Sequence, residues 1–224
     1  MTDSTGSTVA IVGGHGKIAQ LLISDLVEAG HQPLALVRKA EQVAELEQMG
    51  AKAALLDIEQ DSAAAFADAF AGADAVVFAA GGGGDGDIAR KKSVDLGGSL
   101  KSIEGATASG VKRFVQISAI GVDAEIPEDT EPVWRAYVEA KRDADTALRD
   151  SDLEWTIIRP GGLTDDPATG QVAIAPELER GEVTRGDVAA VIAACLADPR
   201  TIGRQWTLTE GASSISDAID AQVS

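Results

Sequence analysis

"AIVGGHGKIAQLL", residues 10–22, is the stretch whose reading decides the fold. A short apolar run stops at two glycines, and an amphipathic period opens straight after Gly16. Gly13, Gly16 and Ala19 match the pattern GxxGxxA. The first glycine permits a tight turn, the second lets backbone approach a pyrophosphate, and the third small residue lets helix and strand pack closely. The amides of Gly13, Gly14, His15, Gly16, Lys17 and Ile18 are then the expected bed for two phosphates, and the partial positive charge of the helix N-terminus favours them. His15 flanks that bed, with no partner in the sequence to orient it as a base.

Such a turn is weak evidence alone, and the rest of the chain gives it context. "TVAIVG", "QPLALVR", "AKAALLD", "ADAVVFAA", "VKRFVQIS" and "LEWTIIRP" are short runs apolar on both faces, as strands buried on both sides require. Between them lie stretches long enough for helices, at 17–29, 40–49, near 62–70, 88–109 and 132–149. Strand and helix alternating in this way predict a doubly wound α/β fold with a parallel sheet, because parallel neighbours need a crossover. After Pro160 the rhythm changes to a loop, "GGLTDDPATG", a helix near 187–197, a strand-like "QWTLTE" and a terminal amphipathic piece. We read residues 1–224 as one domain, in which 161–224 cap the sheet and contribute a substrate pocket. The leading "MTDSTGS" reads as a frayed tail.

Composition narrows the function. No apolar stretch reaches the roughly 18 residues of a membrane span, and no basic-then-apolar leader is visible, so a soluble, cytoplasmic protein without a membrane partner is expected. The formal charge of −17 repels nucleic acid at long range and argues against a nucleic-acid partner. Cys195, the single cysteine, lies in the apolar run "AAVIAACLADP" and reads as a small buried thiol.

The end of the second strand speaks to the choice of dinucleotide. An NAD site places an acid about 20 residues past the glycines to hold the ribose hydroxyls. Here the strand ends in Arg38 and Lys39, which suit a 2′-phosphate, so NADP(H) is expected in preference to NAD(H). Asp57 and Ile58, at the end of the third strand, fall where adenine would lie. Ala79, Ala80 and Gly81, at the end of the fourth, fall where backbone passes a ribose. The glycine run that follows, "GGGDGD", carries no metal assignment.

"WRAYVEAKRDAD", residues 134–145, holds the candidate chemistry. Tyr137 and Lys141 are four residues apart and share a helix face. Val133, Ala136, Ala140, Ala144, Ala147 and Leu148 fall in one apolar sector, with Arg135, Glu139, Arg142 and Asp145 outside it and Lys141 at its margin. A phenol is a poor acid–base group near neutrality, and the expectation is that the Lys141 ammonium lowers its pKa. Tyr137 would then pass a proton to a carbonyl oxygen that Ser118, at the end of the fifth strand, also hydrogen-bonds.

"VGGHGKIA", "LVRKAEQ", "VKRFVQISAIG", "YVEAK", "LEWTIIRPGGLT" and "TRGDVAAVI" run in order over nearly the whole chain. In them the sequence resembles the short-chain dehydrogenase/reductase family, in its atypical branch related to biliverdin reductase B and the nitrogen-metabolite-repressor-like proteins. The resemblance implies a Rossmann fold and dinucleotide binding. It maps the family's serine, tyrosine and lysine onto Ser118, Tyr137 and Lys141, with Ser118 and Lys141 also touching the cofactor. Its pocket-lining turn falls on Pro160, Gly161 and Gly162. The family's asparagine has no clear match, and Asp95 is the nearest residue.

The expected function is therefore an NADP(H)-dependent oxidoreductase whose partner is a small-molecule carbonyl, quinone or flavin-like acceptor. A non-catalytic NADP(H) sensor is the alternative. A sugar-nucleotide epimerase or dehydratase fits less well, since the region after Pro160 leaves little room for a nucleotide-sugar lobe. The oligomeric state is not written in the sequence.

Overall fold

The computed structural model describes residues 6–83 and 87–224. Met1–Thr5 of the leading polar stretch and residues 84–86 of the "GGGDGD" run lie outside the described residues. Ser7, expected to belong to a frayed tail, is held in place: its amide donates to His31 Nδ1 at 3.1 Å, and its carbonyl accepts from the Gln32 amide at 2.9 Å.

A nine-stranded sheet carries the architecture, in the order β11-β8-β10-β6-β5-β4-β1-β2-β3. Its parallel part comprises β1 (Thr8–Val12), β2 (Gln32–Val37), β3 (Lys52–Leu55), β4 (Ala75–Phe78), β5 (Arg113–Ile117), β6 (Glu154–Pro160) and β10 (Arg204–Glu210). Strand β8 (Gln171–Ala175) joins β10 antiparallel, and β11 (Ser213–Ser214) joins β8 likewise. The order reverses between β1 and β4, the switch point at which ligands collect in open α/β sheets.

Side chains alternate across the sheet and so divide the core in two. Val9 and Ile11 point to a cluster built with Leu22 and Ile23 of α1 (Lys17–Glu28) and Val188 and Ile192 of α7 (Arg185–Ala197). Ala10 and Val12 point the other way, to Phe66 of α3 (Ala63–Ala69), Ile103 of α5 (Gly97–Ser109) and Leu148 of α6 (Pro132–Arg149). Helix α2 (Glu41–Gln48) adds Leu46 to the first cluster, and α8 (Ile215–Val223) adds Ala218 and Ile219. Burial on both faces is why the inner strands read as continuous apolar runs, and the edge strand β3 is the exception, with Leu55 58% exposed.

The doubly wound α/β reading therefore stands, with differences of detail. The predicted helix 88–109 is not uniform: α4 (Ile88–Arg90) runs into a π turn, Lys91–Leu96, before α5. Helix α7 begins at Arg185, two residues early, because Thr184 caps it by accepting from the Asp187 amide. The loop read after Pro160 contains β7 (Gly162–Thr164), paired in parallel with β9 (Glu182–Thr184) in a separate two-stranded sheet. These strands are too short to show a period. Finally Asp145, placed outside the apolar sector of α6, is wholly buried. No helix among the described residues is long and apolar enough to cross a membrane.

Candidate functional site

At the switch point β1 ends in Gly13, whose φ of 81° is a left-handed conformation that glycine adopts without strain. A Cβ there would also stand 2.9 Å from the Cα of Ala80 at the end of β4. Gly14 packs flat on Ala35 of β2, where a Cβ would come within 2.8 Å of the alanine methyl. Helix α1 then starts at Gly16 with no side-chain cap and no acidic residue in its first turn. Its first amides are thus presented to a ligand, and a side chain on the glycines would fill the cradle. The residues present fit a dinucleotide pyrophosphate.

Two hollows adjoin along this sheet edge and share Ala79, Ala80 and Gly81. The smaller, about 280 Å³, is lined by Gly13, His15, Gly16, Arg38, Lys39, Asp57 and Ile58 among others. The larger, about 890 Å³, is lined by Ile18, Ser118, Tyr137, Lys141, Pro160, Gly161 and Gly162. Two of the sequence-predicted cofactor residues line neither. Gly14 serves the packing just described, and exposed Lys17 pairs with Asp165 at 2.6 Å. His15 is held by Glu45 at 2.9 Å, in keeping with a loop residue beside the turn.

Arg38 has a neighbour that reading along β2 could not show. Glu59, in the segment after β3, approaches its guanidinium at 3.5 Å and also receives the Ser93 hydroxyl at 2.7 Å. Lys39 pairs with Glu41 at 3.5 Å. Asp57 accepts from the amides of Glu59 and Gln60, which fixes the loop that carries Glu59.

In the larger hollow Lys141 is 5% exposed. Its ammonium donates to the Ile117 carbonyl at 3.1 Å and lies 3.4 Å from Asp95 Oδ1. Asp95, wholly buried in the π turn, accepts from the Gly82 amide at 2.9 Å. It thus stands beside Tyr137 and Lys141, as the residue nearest to the missing asparagine. Lys91 and Lys141 both face the Tyr137 ring, 5.7 and 6.0 Å from its centroid. The Tyr137 hydroxyl makes no hydrogen bond to the described residues, so it is available to a ligand.

The expected lowering of the Tyr137 pKa is not what the site produces. Burial raises it, Lys141 counteracts only part of that, and Asp95 and Asp145 raise it further. Tyr137 is thus held as the neutral phenol.

Ser118 is tied to a network that the sequence did not reveal. Its hydroxyl donates to Asp145 Oδ2 at 2.7 Å, and Asp145 also receives Gln116 Nε2 at 2.8 Å and Arg159 Nε at 2.9 Å. Arg159 reaches on to Asp123 at 2.6 Å. The signal was present: the step of four from Tyr137 to Lys141 continues to Asp145, so all three lie along one line of α6. Trp134, Leu163, Arg180 and Arg185 also stand in the wall. Trp134, Leu163 and Arg185 lie within stretches quoted above where no spacing marks them, and Arg180 lies outside all of those stretches.

Residues 13–199 match the protein family described as NAD(P)H-binding. A Bacillus subtilis protein named "uncharacterized sugar epimerase YhfK" is 42% identical over 94% of this chain and 98% of its own. A solved structure of a candidate NAD-dependent epimerase/dehydratase from Bacillus halodurans superposes with a TM-score of 0.89 at 38% identity, covering 96% of this chain and 100% of that one. ChuY, an anaerobillin reductase of Escherichia coli O157:H7, superposes with a TM-score of 0.76 at 25% identity, covering 91% and 97%. With the glycine cradle, the strand order and the match over most of its length, the chain belongs to the NAD(P)H-binding family of Rossmann-fold proteins.

Proposed function

We propose that this protein is an NADP(H)-dependent oxidoreductase of the atypical short-chain type, which reduces a small carbonyl, quinone or flavin-like acceptor. The observation that carries the reading is the Tyr137 hydroxyl, unbonded among the described residues, in the wall of the larger hollow, beside the groove that the glycine turn opens. A reduced nicotinamide, when bound, would supply the acceptor with a hydride, that is two electrons with one proton. Tyr137 supplies the remaining proton, to the acceptor oxygen, and the neighbouring Lys141 ammonium offsets the charge left on the phenolate. Asp95 and the Ile117 carbonyl hold Lys141 in place. Arg38 and Lys39, at the rim of the smaller hollow, support NADP(H) over NAD(H).

The names of two relatives suggest an epimerase or dehydratase instead. Such reactions ask a base to collect a proton, and a phenol held neutral by burial matches that role poorly. A non-catalytic NADP(H) sensor is the second reading. It is favoured by one observation, that the Ser118 proton is committed to Asp145.

Titration with NADPH and NADH, followed by NADPH consumption over a panel of quinones, flavins and small carbonyls, tests the proposal. Tight NADPH binding with turnover of at least one acceptor, lost in Tyr137→Phe, is the expected result. Binding without consumption of NADPH by any acceptor would favour the sensor.

A further inference from the structure

The wall of the larger hollow is electropositive in a protein that is not. Lys91, Lys141, Arg180 and Arg185 line it against Asp95 and Glu131, whereas the whole chain carries 36 acidic and 19 basic residues. Three of the four cations are already engaged. Lys141 pairs with Asp95, Lys91 donates to the Gly83 carbonyl, and Arg185 pairs with Asp165 at 2.7 Å. Arg180 has no hydrogen-bond or ion-pair partner among the described residues. Its guanidinium returns over the end of β5, for a Cβ built on Gly121 would stand 3.9 Å from Arg180 Nη2, three residues past Ser118.

The same wall has a flat apolar side. Trp134 is 47% exposed and Leu163 39%, both large hydrophobic side chains left uncovered, and both face this hollow. The Trp134 ring stacks at a tilt on Tyr137, 5.2 Å between centroids, so a planar body resting on the indole lies next to the proton donor. A planar guanidinium with free donors is built to grip a carboxylate in two places. An acidic protein repels anions at long range, so an anionic substrate needs such a local cation to be retained.

We propose that Arg180 is a specificity residue that binds a carboxylate, and that the substrate is a planar apolar acceptor bearing that group, its flat face against Trp134. This names the substrate class for the oxidoreductase reading and rests on it only for what becomes of the bound molecule.

The test is calorimetric titration of the protein, with and without saturating NADP⁺, using 2-naphthoate and its neutral counterpart 2-naphthamide. The carboxylate should bind at least about tenfold tighter than the amide. Arg180→Gln should bring the ratio to within about twofold while leaving amide affinity and melting temperature unchanged. Arg180→Lys should keep a preference of about threefold or more. Equal binding of the two probes by the unaltered protein, binding of neither, or a preference that survives Arg180→Gln would overturn the proposal. Failure of the oxidoreductase reading shows separately, as absent NADPH consumption alongside an intact carboxylate preference.

Discussion

Asp145 accepts a hydrogen bond from the Ser118 hydroxyl at 2.7 Å, behind the wall of the larger hollow. A serine so committed can accept a hydrogen bond from a ligand but cannot donate one to a carbonyl oxygen. Ser118→Ala should therefore lower kcat by less than about tenfold, while Tyr137→Phe lowers it by about 10²–10⁴-fold. Steady-state NADPH oxidation with one acceptor measures both. A larger loss in the serine variant would show that its proton is released to substrate during turnover.

Tyr137 is the single tyrosine of the chain, so its ionisation can be followed alone by the ultraviolet absorbance of phenolate. Burial is the largest influence on it and raises its pKa. The protonated form persists to higher pH than in a free phenol, whose pKa is about 10. The titration midpoint of the native protein should lie above that value, with Tyr137→Phe as the blank. Reduction should hold its rate from neutral pH up to that midpoint and fall beyond it.

Arg38 faces the smaller hollow and is shared with Glu59 across 3.5 Å, a weak tie that a phosphate would outcompete. Arg38→Gln should weaken NADPH about tenfold or more and leave NADH nearly unaffected. Calorimetry at low and high salt checks this, the NADPH difference shrinking as salt rises.

Asp187 ties the chain that leads into β8 to the start of α7. Its carboxylate accepts from the amides of Thr169 and Gly170 and from the Thr184 hydroxyl. Burial acts to raise its pKa, but these hydrogen bonds prevail and the value is lowered. The stabilisation is present above the unfolded pKa of about 4 and is lost as pH falls through the lower folded value. Asp187→Ala should cost about 2–3 kcal/mol at neutral pH, and the deficit should narrow below pH about 4. Urea unfolding at both pH values measures it.

Burial pushes the Cys195 thiol up to about 12. A thiol so protonated and covered reacts with disulfide reagents only when the protein opens. Labelling of native protein should therefore proceed at the rate of unfolding and accelerate with denaturant.

What could be read in the sequence follows from how local each cause is. The glycine turn between strand and helix and the parallel strand order are short-range patterns that the fold reproduces, and the Tyr137–Lys141 spacing puts both side chains in the wall of one hollow. Strand β8, with alternate residues buried, carried a period that could have been found. By contrast Glu59 reaches Arg38 from another strand end, and Arg159 and Asp123 complete a charge network from β6 and the segment after β5. Such partners are set by tertiary packing. The Tyr137 pKa departs from the expected direction for the same reason: spacing displays the nearby ammonium, and only the fold displays the loss of water.

The π turn at Lys91–Leu96 is the one such widening among the described residues, and it supplies both Lys91 and Asp95 to the hollow. Its i→i+5 bonding stores an extra residue in an otherwise ordinary helix. Excising one residue, Ser93 for instance, would let the helix close into a smoother rod while swinging Lys91 about 100° around the axis relative to Asp95. Foldability and chemistry therefore pull in opposite directions at this spot. A shortened descendant would keep its glycine turn and its sheet yet lose the arrangement of Lys91, Asp95 and Tyr137 on which the proposed chemistry rests.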